Sequence, residues 1–125
     1  MNLYSEISAG ELIDKISILQ IKSEKIKDEN KLDHINREKE VLSKEAQKLH
    51  LHEKWLDKIK EVNFKLWKIE DDIRDKERKK EFDQEFIELA RAVYFTNDER
   101  FNVKNEINLW YSSNIVEQKS YEKYN

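Results

Sequence analysis

The sequence predicts an all-α fold: an antiparallel helical bundle or extended helical hairpin of three to four long helices, in a single domain over residues 1–125. Three observations lead there. Apolar residues recur at alternating gaps of three and four, the spacing that lines one face of an α-helix. The chain has one Gly and no Pro, so hairpin turns, Greek keys and phosphate-cradling glycine loops lack the residues that supply positive φ. Charged residues make up 41% and apolar residues 38%, and such a chain buries a core only by segregating the two onto separate helix faces. With no Cys, disulfide frameworks, thiol nucleophiles and Cys-ligated zinc are excluded.

The first helix is predicted over about residues 9–27. Ser8-Ala9-Gly10-Glu11 has the form of a capping box, in which Ser8 accepts from the third amide and Glu11 reaches back to the Ser8 N–H. Leu12, Ile13, Ile16, Ile18, Leu19 and Ile21 are too many for one narrow stripe. A helix apolar on two sides is central in a bundle or meets a partner chain. Asp28-Glu29-Asn30 is a polar break, with Asn30 placed to cap a second helix over about 31–49. There Leu32, Ile35, Leu42, Ala46 and Leu49 form a coiled-coil-like seam interrupted by Lys39. His50 to Glu53 turns the corner.

The third helix, about 54–79, has the cleanest pattern: Trp55, Ile59, Val62, Leu66, Ile69 and Ile73 lie 4, 3, 4, 3 and 4 apart. The charged run Lys76 to Glu81 ends it. The fourth, about 83–111, uses Phe86, Ala90, Val93, Ile107 and Tyr111. Thr96-Asn97-Asp98-Glu99 repeats the capping-box pattern and predicts a break or kink near Thr96. The tail, 112–125, carries no helical stripe and either lies over the bundle or frays.

The net charge of −3 and pI near 5.7 argue against a non-specific nucleic-acid binder. No signal peptide is visible at the N-terminus, and the apolar stretch Leu12 to Ile21 is interrupted by Asp14, Lys15, Ser17 and Gln20. The expectation is a cytoplasmic protein without membrane insertion.

Several segments carry a likeness: Ile7 to Ile16, Leu66 to Arg74, Glu88 to Tyr94, Thr96-Asn97-Asp98, Arg100, Lys104, Ile107-Asn108 and Glu117 to Tyr121. Together, over about residues 5–121, the chain resembles an uncharacterised family of short helical bacterial and phage proteins, a domain of unknown function. The resemblance implies an all-helical fold and an association, in some relatives, with glycosyltransferases of surface polysaccharide synthesis. It implies no catalytic residues.

Candidate chemistry lies in a polar stripe beside the seams. Asn63, Trp67, Glu70 and Arg74 share a face of the third helix. On the fourth stretch stand Glu88, Arg91, Asn97, Asp98, Arg100 and Lys104, with Asn97 and Lys104 at positions where the seam calls for apolar side chains. Three of five arginines fall in these segments, and arginine suits bidentate binding of carboxylate or phosphate. One reading is a cleft for an anionic ligand; the other is a set of interhelical salt bridges that fix register. Ser8 and Gly10, at a helix start, form a weaker anion candidate, with Glu11 competing.

Asp71-Asp72-Ile73-Arg74-Asp75 reads as D-D-x-x-D, a spacing that can hold magnesium, but Lys68 and Lys76 flank it and no second acidic motif follows. Glu85-Phe86-Ile87-Glu88 is half of the E-x-x-E…E-x-x-D set of helical pyrophosphohydrolases, and the second half is missing. His50-Leu51-His52 lacks a third ligand nearby. No metal or other cofactor is assigned. The sequence thus points to a non-catalytic helical interaction or adaptor protein, homodimeric, serving a protein partner or itself. The alternative is a small enzyme or binder of an anionic, phosphorylated ligand.

Overall fold

Each α-helix opens on a side chain that accepts an otherwise orphaned amide, which is why the boundaries fall where they do. In the computed structural model, which describes residues 1–124, Ser8 Oγ accepts from Glu11 N–H at 3.1 Å and starts α1 (Ala9–Lys25). Asp28 accepts from Lys31 N–H and starts α2 (Glu29–Ala46), so the cap is Asp28 and not Asn30. A 3-10 turn, Gln47–Leu49, follows. The imidazole Nδ1 of His52 accepts from Lys54 N–H at the head of α3 (Glu53–Arg78), and Asp83 from Phe86 N–H at the head of α4 (Gln84–Trp110). No strand occurs among the described residues.

Helix ends use positive φ without glycine: His50 (49°), Lys80 (58°) and Ser112 (53°) are left-handed. After α3 the Glu81 N–H donates to Lys76 O and the Lys80 N–H to Glu77 O; after α4 Ser113 and Ser112 repeat the pair on Asn108 O and Leu109 O. These paired bonds satisfy the last carbonyls and offset the left-handed cost of about 1 kcal/mol.

α1 is the central helix, in contact with α2, α3 and α4. Its breadth of apolar surface is used within the chain. Leu12 and Ile16 pack with Ala46 of α2. Ala9 and Ile13 pack with Trp55 and Ile59 of α3 and Val103 and Ile107 of α4. Each fully buried isoleucine stabilises the fold by about 1.5–3 kcal/mol. α3 and α4 form an antiparallel hairpin, laced by Lys58–Glu106 at 2.6 Å and Lys65–Glu99 at 3.2 Å.

The hairpin outruns its cover. At 26 residues α3 is about 39 Å long and α1, at 17, about 26 Å. All hydrogen bonds from α1 to the hairpin fall on Asn63, Lys60 or the C-terminal part of α4. Between Phe64 and Asn102, all described residues, only Thr96 is buried. α4 runs unbroken through Thr96, contrary to the expected kink. The seam continues past this point against α3, and Glu99, which would complete the capping box, is instead paired with Lys65 of α3.

Gly10, the one glycine, lies where α1 meets α4. A Cβ there would clash with the Lys104 carbonyl oxygen and with Asn108 Oδ1. Gly10→Ala gains about 1 kcal/mol of helix propensity against an overpacking cost of about 1–3 kcal/mol. The expected outcome is a lower melting temperature by circular dichroism; an unchanged or higher one would show that the contact is not tight.

Candidate functional site

Because α1 packs against three helices, a carboxylate set among its apolar positions is buried too: Asp14 is 0% exposed. A buried carboxylate costs several kcal/mol unless it is paired and hydrogen-bonded. Arg100 of α4 supplies a side-on pair, Nε donating to Oδ1 at 3.0 Å and Nη2 to Oδ2 at 2.5 Å. Asn63 of α3 donates from Nδ2 to Asp14 Oδ1 at 2.8 Å and to Ser17 Oγ at 2.7 Å. The Ser17 hydroxyl donates to the Asp14 carbonyl. Hydrogen bonding to Asp14 raises the Arg100 pKa above its already high value.

Lys104 lies one turn further along α4. Its Nζ donates to Glu11 at 2.7 Å and Glu117 at 2.9 Å and stands 4.0 Å from Asp14. Burial alone would lower its pKa, but the hydrogen bonds to Glu11 and Glu117 outweigh burial and leave it raised. The Glu11 N–H is therefore capped by Ser8 while the Glu11 side chain serves Lys104; the reciprocal half of the expected capping box does not form. Among the described residues, the buried side-chain polar atoms without a partner are Trp55 Nε1 and Asn105 Oδ1. Neither belongs to this cluster, so none of its fully buried side-chain atoms is left unpaired.

The tail folds back over α4. The Ala9 N–H donates to Ser113 Oγ at 2.9 Å. Glu117 bridges Lys104 and Lys119. Tyr121 donates to Asp98 Oδ1 at 2.6 Å and Tyr124 to the other carboxylate oxygen. Those two hydroxyls lower the Asp98 pKa, and in return Asp98 pushes Tyr124 up to about 12. The Tyr124 ring stands edge-on to Tyr94 and Phe95. Between tail and helix lies a cavity of about 600 Å³, lined on the α4 side by Tyr94, Asn97, Asp98, Arg100, Phe101 and Lys104 and on the tail side by Glu117, Lys119, Tyr121, Glu122 and Tyr124.

The structure divides the residues singled out in the sequence. Asn63, Arg100 and Lys104 meet in the buried cluster, and Asn97 and Asp98 join Arg100 and Lys104 around the cavity. Trp67, Glu70, Arg74, Glu88 and Arg91 do not line it. Glu70 and Arg74 pair with each other at 3.3 Å, and exposed Arg91 lies over the Phe95 ring. Ser8 is the cap, and the Gly10 N–H donates to Asn108 Oδ1 at 2.7 Å, so the first-turn amides serve the fold and not an anion. Asp14, Ser17, Asn108 and Tyr121 enter the sequence reading only as interruptions of an apolar stretch or within the likeness, not as site residues, and Tyr124 does not enter it. Asp14 had a usable signal: a carboxylate inside a doubly apolar helix must have a buried partner.

Asp72, Asp75 and Glu85 of the acidic motifs are engaged locally. Asp72 pairs with Lys68, and Asp75 with Arg78 and Lys79. Lys76 turns away from them to Glu81, Asp83 and Glu85, which clasp the α3–α4 turn and raise its pKa. His52 is used as a cap. Among the described residues no group of three or more His, Asp or Glu side chains is placed to hold a metal ion, and no helix is long and apolar enough to cross a membrane.

Comparison with known proteins gives one match. Residues 3–124 fit the model of a family of unknown function, DUF6165, and the chain belongs to that family. No curated protein and no solved structure matches it.

The Glu117 pKa is depressed from 4.5 to about 2 by hydrogen bonds from Lys119 and Lys104. A carboxylate whose folded pKa is lowered stabilises the docked tail above its unfolded pKa, and the contribution fades as pH falls toward the folded one. Tyrosine fluorescence or NMR is expected to show the tail docked at pH 7 and losing its hold between about pH 4.5 and 2, with Glu117→Gln loosened already at neutral pH. Tail signals indifferent to both changes would contradict the bridge.

Proposed function

We propose that this member of DUF6165 is a non-catalytic helical interaction protein that self-associates through the far part of its α3–α4 hairpin and acts as a cytoplasmic adaptor. The observation that carries this reading is the near absence of buried residues between Phe64 and Asn102. Leu66, Ile69 and Ile73 of α3 and Phe86, Leu89, Ala90 and Val93 of α4 follow a core-forming spacing, yet all remain partly exposed. Each helix has only one neighbour there. Two helices cannot close a seam; four can, and a second hairpin supplies the other two in an isologous bundle. Ile87, 48% exposed, and Phe82, 57% exposed, extend the apolar surface beyond the seam.

The buried polar groups support a register-setting role over a catalytic one, since Asp14, Asn63, Ser17 and Arg100 hydrogen-bond to one another. A glycosyltransferase client, which the resemblance implies, would dock on the same adaptor. A second reading, a small-molecule binder, is favoured by the cavity under the tail, whose volume of about 600 Å³ falls in the range of ligand sites.

Sedimentation equilibrium at low micromolar concentration tests the association. The expected mass is twice the 15.3 kDa of one chain. Ile87→Lys, a change at an exposed position that spares the protomer, is expected to return the monomer with unchanged helicity. A wild-type monomer, or a dimer indifferent to Ile87→Lys and Leu66→Lys, would overturn the proposal.

A further inference from the structure

We infer that the cavity beneath the C-terminal tail binds a small molecule carrying a carboxylate on a flat apolar or aromatic body. The inference rests on the binder reading and names its ligand class.

Arg100 carries the argument. Its side-on pair with Asp14 uses Nε–H and one Nη2–H. The second Nη2–H and both Nη1–H groups have no partner among the described residues, and Arg100 lines the cavity. An arginine edge of this kind offers two parallel donors at the spacing of a carboxylate's oxygens. The guanidinium is already immobile, because Asp14 is buried and Asn63 holds the same carboxylate. Binding therefore loses little side-chain entropy there.

Asn97, three residues before Arg100 on α4, lines the same cavity, and its side-chain amide has no partner among the described residues. It adds a donor beside the guanidinium edge. Tyr94, Phe101, Tyr121 and Tyr124 supply aromatic walls suited to a flat apolar body.

Charge limits the anion to a single negative charge. The cations of the cavity are each opposed already, Arg100 by Asp14, Lys104 by Glu11 and Glu117, and Lys119 by Glu117. Asp98 and Glu122 add negative charge around the cavity. A phosphate dianion meets net repulsion there, whereas a monoanion shares one guanidinium with Asp14. An ammonium finds both Asp98 oxygens taken by tyrosine hydroxyls and is left with Glu122, the lining carboxylate that has no partner among the described residues.

The test titrates the full chain with benzoate, phenyl phosphate and benzylamine, following melting temperature and the side-chain N–H signals of Arg100 and Asn97 by NMR. Benzoate is expected to bind saturably and to shift both signals. Asn97→Ala, which touches none of the buried pairs, should weaken benzoate about tenfold without lowering the unliganded melting temperature, and Arg100→Lys should weaken it further. Stronger binding of phenyl phosphate or benzylamine, or benzoate binding untouched by Asn97→Ala, overturns the carboxylate assignment while leaving a binder. No saturable binding by any of the three overturns both.

Discussion

The structure depends on one buried carboxylate. Asp14 stands in the interior of α1 and is tolerable only because α3 and α4 both bring it a donor, Asn63 from one side and Arg100 from the other. Removing one member of such a pair costs about 3–5 kcal/mol, whereas an apolar replacement of the whole cluster can be neutral. The cluster's contribution is therefore to register more than to net stability. It fixes which turn of α1 faces which turn of the hairpin, and a slip by one turn would strand a charge. Gly10 is the other half of this constraint, since the side-on Arg100 pair needs α4 close to α1, and the missing Cβ permits that approach.

From that contact the rest follows in sequence. Lys104, drawn into the interior one turn away, needs two carboxylates, and the second comes from Glu117 of the tail. The tail is thereby folded over α4, where Tyr121 and Tyr124 close on Asp98 and enclose the cavity. Arg100 faces both ways, holding α1 with one edge and offering the other. Core and cavity wall thus share a single side chain.

Much of this was legible in advance. The three-and-four spacing of Trp55, Ile59 and Val62 located α3, and the capping pattern at Ser8 located α1. Two faces of apolar residues identified α1 as central. Other features were not legible, for physical reasons. A scarcity of glycine does not forbid positive φ, because Lys80 and Ser112 are held left-handed by paired carbonyl bonds at a helix end. A capping pattern at Thr96 does not break a helix whose neighbour continues past it. Of the candidate site, Asn63, Asn97, Asp98, Arg100 and Lys104 converge, while Glu70, Arg74, Glu88 and Arg91 stay out on the hairpin. Helical periodicity tells which face a residue shares but not how far along that face the covering helix reaches.

The central claim is that order is anchored around Asp14 and thins along the hairpin beyond it. Amide hydrogen exchange, at a dilution where the chain is monomeric, tests it most directly. The account predicts the slowest exchange in residues 12–21 of α1 and around Ile59, Asn63, Val103 and Ile107, with the amides from Leu66 to Val93 exchanging much faster. Uniform protection along α3 and α4, or faster exchange around Asp14 than along the outer hairpin, would contradict it.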